Sequence, residues 1–264
     1  MAGYEGDVVT PYDQDLGPVL FDHYGADTAR RVAERAGRDV LEIAAGTGIV
    51  TRHLRDALAK DVRLTATDIS DSMMEAARKK FLPNEQITFQ IADAAALPFD
   101  DEAFDTVVCQ FGVMFFDKEA GFREAHRTLK RGGRYLFRVW DSEHYNPYAS
   151  LSFKVLKQFF PSDTPRFLLD TVACHQIDPL KEKLTRAGFD RIVVSVHRNE
   201  HDIQDVSAFA RALVFSPVIT EIRDSGGADP EEIAVALAEA LIKEYGSNPT
   251  RFPMQSILFE AEKS

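Results

Sequence analysis

The 264-residue chain is 45% hydrophobic and 28% charged, the balance of a globular protein able to bury a sizeable core. Its 42 acidic residues outnumber 31 basic ones, and the net charge of −11, spread along the chain, disfavours nucleic acid and anionic lipid as partners. No apolar run approaches the ~18 residues needed to span a bilayer, and the acidic start lacks a signal-peptide core. Cys109 and Cys174 form neither a CxxC pair nor a metal-ligand cluster, so two reduced thiols in a cytoplasmic protein, with no metal, are expected.

In chain order, Leu20, Tyr24, Ala29 and Val32 have helical spacing, with Gly37 as the stop. "DVLEIAA" reads as a short buried strand, "IVTRHLRDALA" as a helix and "VRLTATD" as a second strand. "SDSMMEAARKKF" is the next helix, with Ser72 and Glu75 as its capping box. "ITFQIAD", "FDTVVCQF" and "GGRYLFRVW" are further strands, the last two separated by the helix "KEAGFREAHRTLK". This rhythm predicts an α/β fold, a doubly wound and mostly parallel sheet covered by helices. Beyond Trp140 come an irregular loop with an aromatic-rich helix, then "DPLKEKLTRAGF", capped by Asp178 and stopped by Gly188. Two late strands, "DRIVVSVHRNE" and "MQSILFEAEKS", enclose a long helical segment, as an elaborated sheet edge would.

The turn in "EIAAGTGIVT" follows the first strand, where open α/β sheets bind their ligands. No GxxxxGK[ST] string occurs, which excludes a P-loop. Gly46 and Gly48 match the first two glycines of a dinucleotide fingerprint, but Thr51 stands where the third belongs. Asp68, closing the second strand, suits the two hydroxyls of a ribose and so points to an adenosine ligand without choosing among them.

Four segments, "VLEIAAGTG", "ATDIS", "IADAAALPFDDEAFDTVVCQFGVMFF" and "REAHRTLKRGGRYLF", decide the matter. In this order and spacing they resemble class I S-adenosylmethionine-dependent methyltransferases, nearest the ubiquinone/menaquinone-biosynthesis group, over residues 38–140, with a weaker echo from Asp178 to Val196. The resemblance implies a seven-stranded Rossmann-like sheet with helical lid elements, S-adenosyl-L-methionine as cofactor, and a small-molecule acceptor, with a homodimer allowed. It implies one domain over 1–264, made of a helical cap (1–37), a cofactor-binding core (38–140) and lid or substrate insertions (141–177 and 200–250). It assigns Glu42 to the methionine ammonium, and Ala44, Gly46 and Gly48 to close backbone approach. Ala44 replaces the usual glycine. Asp68 would hold the ribose, Ile69 would lie on the adenine, Asp93 and the Ala94 amide would meet its edge, and Gln110 would face the methionine end.

Methyl transfer from a sulfonium is an in-line displacement with a neutral leaving group, so alignment matters more than acid–base machinery. An oxygen or acidic carbon nucleophile gains from a base. His144 is the preferred candidate, with Tyr145 and His175 behind it. Tyr12, Met114, Phe115 and Tyr145 are the candidate substrate pocket, and Phe21, Phe116, Phe209 and Phe215 offer further apolar lining. Competing readings stay open: Glu42 as a buried acid paired with an early Arg or His, Asp93 as a turn cap, Gln110 as a satisfied strand-end amide, His144 as a surface histidine, and the aromatics as core. No [DN]PP[YF] string is present, which argues against nucleobase or glutamine nitrogen as acceptor. The alternatives to a methyltransferase are an NAD(P)-dependent oxidoreductase and a non-catalytic S-adenosylmethionine-binding module.

Overall fold

The computed structural model describes residues 9–35, 37–247 and 249–264. They cluster into two units, one of residues 21–139, 176–196 and 257–264, the other of residues 9–20, 140–175 and 197–256.

The seven strands are β1 (Asp39–Ile43), β2 (Arg63–Asp68), β3 (Ile87–Ile91), β4 (Phe104–Gln110), β5 (Leu129–Trp140), β6 (Asp190–Ile203) and β7 (Thr250–Glu262), ordered β3-β2-β1-β4-β5-β7-β6. Pairs β1–β2, β2–β3, β1–β4 and β4–β5 are parallel. The chain builds outward from β1 through β2 to β3, then returns to the other flank of β1 with β4. That reversal is the topological switch point, and it places the carboxyl ends of β1 and β4 side by side as a ligand crevice.

Helices α1 (Val9–Pro11) and α2 (Asp22–Ala33) flank a ten-residue π-type stretch, Tyr12–Phe21. In the first unit α2 packs on α3 (Ile49–Ala57), burying Ala29 and Val32 with Val40, Val50, Leu54, Val108 and Leu136. Burial of such side chains at about 25 cal/mol per Å² is the main term holding this layer together. Gly25 permits the close approach: a Cβ there would lie 3.0 Å from His53 and 3.4 Å from Val50. Arg55 closes α3 by donating to the carbonyls of Leu58, Ala59 and Val62, satisfying groups a helix end leaves open. The remaining helices of this unit are α4 (Asp71–Arg78), α5 (Lys118–Thr128) and α8 (Ile177–Arg186).

The other unit carries α6 (Pro147–Phe159), α7 (Phe167–Thr171), α9 (Val206–Val214), α10 (Val218–Ser225) and α11 (Pro230–Tyr245). Its core gathers Tyr148, Phe209 and Tyr245 around Phe252, with ring centroids 5.5–5.8 Å apart. Among the described residues no helix is long and apolar enough to cross a membrane.

Three expected local signals moved. The cap of α4 is Ser70, whose hydroxyl accepts from the Met73 amide, because Ser70 keeps the extended backbone a cap needs while Ser72 is already inside the helix. Asp178 lies in the first turn of α8 rather than at its cap, where its charge still favours the helix dipole. Helix α2 ends at Ala33, ahead of Gly37; the left-handed Gly37 (φ +70°) instead lets Asp105 approach, since a Cβ would meet the Asp105 Cβ at 2.3 Å.

Candidate active site

The turn after β1 is held by its own backbone. The Ala45 amide donates to the Thr67 carbonyl (2.9 Å) and the Gly46 amide to Asp68 Oδ2 (2.8 Å). Ala44, Gly46 and Gly48 are all left-handed, at φ +56°, +55° and +81°. For Ala44 that conformation costs about 1 kcal/mol, which glycine would not pay. The two glycines serve different ends. A Cβ on Gly46 would meet nothing within 4 Å, so that face of the turn is open, whereas one on Gly48 would come within 3.1 Å of Ala77 and 3.3 Å of Phe81. Gly46 leaves room beside the loop; Gly48 lets α3 start against α4.

Thr51, at the position of the missing third glycine, is fully buried in α3. Its hydroxyl is the polar neighbour of Glu42, although neither Thr51 Oγ1 nor Glu42 Oε2 has a hydrogen-bond partner. Glu42 is 2% exposed. Burial pushes its carboxyl up to about 8, the Thr51 hydroxyl offsets part of this, and the charge of Asp68 adds to it. A buried carboxyl with an oxygen that no donor reaches is a strong attractor for a cation.

Asp68 is mostly buried, and this raises its pKa against the opposing hydrogen bonds from the Ser70, Gly46 and Ile69 amides. Oδ1 accepts from Ser70 at 2.9 Å and Oδ2 from Gly46 at 2.8 Å, which leaves further lone pairs on both oxygens. Ile69 is 43% exposed, and Ile91, the β3 register partner of Asp68, is also exposed. Asp93 is exposed, with Oδ1 accepting from the Ala95 amide, while Ala94 is buried. Asp93 therefore shapes its own turn, as the capping reading expected, and keeps its second oxygen for other use.

Gln110, closing β4, turns its amide toward the N-terminal helices. Thr28 donates to Oε1 at 2.7 Å, and Nε2 donates to the Phe21 carbonyl at 3.3 Å. Phe111 follows with a left-handed backbone (φ +54°) and packs against Phe21 and Tyr24. A Cβ on Gly112 would lie 2.5 Å from the Ala44 Cβ, so this glycine lets the β4 turn touch the β1 turn. Thr28, Phe111 and Gly112 were missed in the sequence; a glycine two residues beyond a strand was the available signal. Met114, Phe115 and Phe116 are half-buried, and Phe116 packs over Gly121 of α5.

In the other unit, His144 and Tyr145 are exposed and in edge-to-face contact (4.8 Å), and Tyr12 is half-buried. Their turn is fixed by Asn146, also unforeseen. Its side chain donates to the carbonyls of Asp141 and Gln255 and accepts from the Gln255 amide, while Gln255 Nε2 donates to Asp141 Oδ2. His175 Nδ1 lies 3.0 Å from the Val172 carbonyl. Phe209 is core, and Phe215 lies beneath the Arg211 guanidinium. Among the described residues no cluster of three or more His, Cys, Asp or Glu is placed to hold a metal ion.

An orphaned buried acid, an open glycine face and an exposed isoleucine beside Asp68 fit a ligand carrying a cation, a ribose and a flat base. S-adenosylmethionine has all three. A methyltransferase-domain model matches residues 40–133. The ubiquinone/menaquinone biosynthesis C-methyltransferase UbiE of Pseudomonas fluorescens is 31% identical over 186 residues, covering 62% of this chain and 73% of the relative. The YcgJ protein of Bacillus subtilis shares the fold at a TM-score of 0.58 and 20% identity, over 91% of this chain and 98% of that one. So does Haemonchus contortus phosphoethanolamine N-methyltransferase 2, solved with S-adenosylhomocysteine, at 0.58 and 17%, over 97% of this chain and 57% of that one. The chain belongs to the class I S-adenosylmethionine-dependent methyltransferases, in the group of the ubiquinone/menaquinone-biosynthesis enzymes.

Proposed function

We propose that the enzyme methylates an oxygen or carbon nucleophile of a small molecule. The observation that carries the cofactor half of this reading is Glu42, a buried carboxyl with an orphaned oxygen on the strand that leads into the open-faced turn at Gly46. S-adenosylmethionine supplies an electrophilic methyl on a cationic sulfur. The chain's own residues then have to orient and shield it. Glu42 takes the methionine ammonium, and the Ala44–Gly48 backbone gives the amino-acid end room. Asp68 accepts from the ribose hydroxyls while keeping the loop amides. Ile69 covers the adenine, and Asp93 and the Ala94 amide meet its edge. Gln110 borders the methionine end, its amide orientation set by Thr28.

The acceptor half rests on two supports. The relative from P. fluorescens is named a C-methyltransferase, and the nitrogen-engaging [DN]PP[YF] string is missing from this chain. Met114 and Phe115 offer a half-buried apolar border for a partly hydrophobic acceptor. His144 is the candidate base, held on a turn that Asn146 makes rigid. The test is release of S-adenosylhomocysteine from a panel of phenols, quinone precursors, carboxylic acids and amines. Turnover of phenols or quinone precursors is expected; turnover of amines alone would overturn the proposed acceptor class.

A further inference from the structure

Glu42 is buried with Oε2 lacking a hydrogen-bond partner, and among the described residues no cation pairs with it. From β2 it faces Asp68, and the Thr67 hydroxyl, which donates to the Glu42 carbonyl rather than to its side chain. From α3 it faces the Thr51 hydroxyl. From β4 comes the Cys109 thiol, whose own pKa burial pushes up to about 12, so it is neutral. An ionised carboxylate buried near a like charge, with one oxygen that no donor reaches, is strongly disfavoured, and such a group takes up a proton instead. The upward displacement of the Glu42 pKa to about 8 has that same cause.

We propose that Glu42 is a neutral acid in the cofactor-free enzyme, and that binding of S-adenosylmethionine expels its proton to solvent, leaving a carboxylate against the ligand's α-ammonium. One O–H bond breaks and one proton passes to water; the ligand keeps all its bonds. The count is unchanged if the amine enters neutral, because it has then shed its proton to solvent first and takes the one from Glu42. The cofactor site is thereby proton-coupled: acid opposes loading and a rise toward neutrality favours it. This inference rests on the proposed pairing of Glu42 with the ammonium.

Calorimetry of the full chain with S-adenosylmethionine at about pH 6.5, in buffers of different ionisation enthalpy, counts the protons exchanged. Release of about one proton per cofactor is expected. Glu42→Gln, close in shape and unable to ionise, should abolish the release and weaken binding about ten- to a hundredfold. 5′-Methylthioadenosine keeps the adenosine but lacks the ammonium, and should bind the native enzyme without releasing a proton. That arm does not depend on the variant folding. Release persisting with methylthioadenosine would assign the proton to Asp68 and overturn the proposal, as would cofactor binding with no proton release. Absence of cofactor binding in every buffer would overturn the proposal and the pairing together.

Discussion

The two ends of the central strands are built on opposite principles. At the carboxyl ends of β1 and β4, Glu42 has an oxygen without a donor, Ala44 and Phe111 take left-handed backbones, and burial raises the pKa of both Glu42 and Asp68. At the amino ends the carboxylates of Asp39 and Asp105 are both engaged. Asp105 Oδ2 accepts from the Arg38 and Asp39 amides, both at 2.9 Å, and from Lys130 at 3.1 Å. Asp39 accepts from Arg63 and Lys130. Burial alone would raise the pKa of Asp105, but these donors overcome it and hold it low. The same strands thus end in a satisfied polar network on one side and an unsatisfied, conformationally costly one on the other. Unmet hydrogen bonding and backbone strain collect where a ligand is due, and stability is built at the far end.

Substitutions at the two ends should separate binding from stability. The largest effect is expected from Asp68→Ala, which removes charge-assisted acceptors worth roughly 1.5–3 kcal/mol each, so cofactor Kd should rise about a hundredfold or more by calorimetry. An affinity within threefold of native would erase the distinction between the ends. Asp105→Ala should do the converse, lowering unfolding free energy by about 2 kcal/mol in urea titrations while leaving cofactor Kd within about twofold. The sign of its pH dependence follows from the depressed pKa. The contribution of Asp105 is full above its unfolded value near 4 and is lost as pH falls through its lower folded value, so Asp105→Ala should cost less in acid than at neutrality. The smallest effect is expected from Ala44→Gly. Relief of about 1 kcal/mol of left-handed strain is offset by the larger unfolded-state freedom of glycine, leaving stability within about 0.5 kcal/mol. A larger loss would show that the Ala44 methyl group beside Gly112 is needed to pack the two turns together.

The sheet and most helices were legible because their apolar spacing is local, and the β1 turn because its glycines are adjacent. The cap of α4 was misplaced by two residues because Ser70 and Ser72 are chemically equal on paper, and only backbone direction selects between them. What stayed hidden depends on distant partners. Arg138 is completely buried, donates to Asp27 across 111 positions and lies over the Tyr24 ring. Burial would raise the Asp27 pKa, but Arg30, Arg138 and Arg31 overcome this and lower it to about 2. Nothing near "FRVW" announces that a charge there is sealed under α2. Gln110 was readable as polar and strand-terminal, but its commitment to Thr28 was not, since the two are 82 residues apart. Thr51 looked like a defective glycine and proves to be a buried neighbour of Glu42.

The bracing of the β1 turn by Asp68 bears on how this enzyme can change over generations. The carboxylate proposed to grip the ribose also anchors the Gly46 and Ser70 amides, so any replacement is penalised twice, in affinity and in loop geometry. A position with two simultaneous duties has few neutral neighbours in sequence space. The side chains of the exposed His144 and Tyr145 carry no such double constraint, since Asn146, Asp141 and Gln255 hold their turn. Substitutions at those two side chains therefore leave the geometry of their turn intact, whereas substitutions at Asp68 do not.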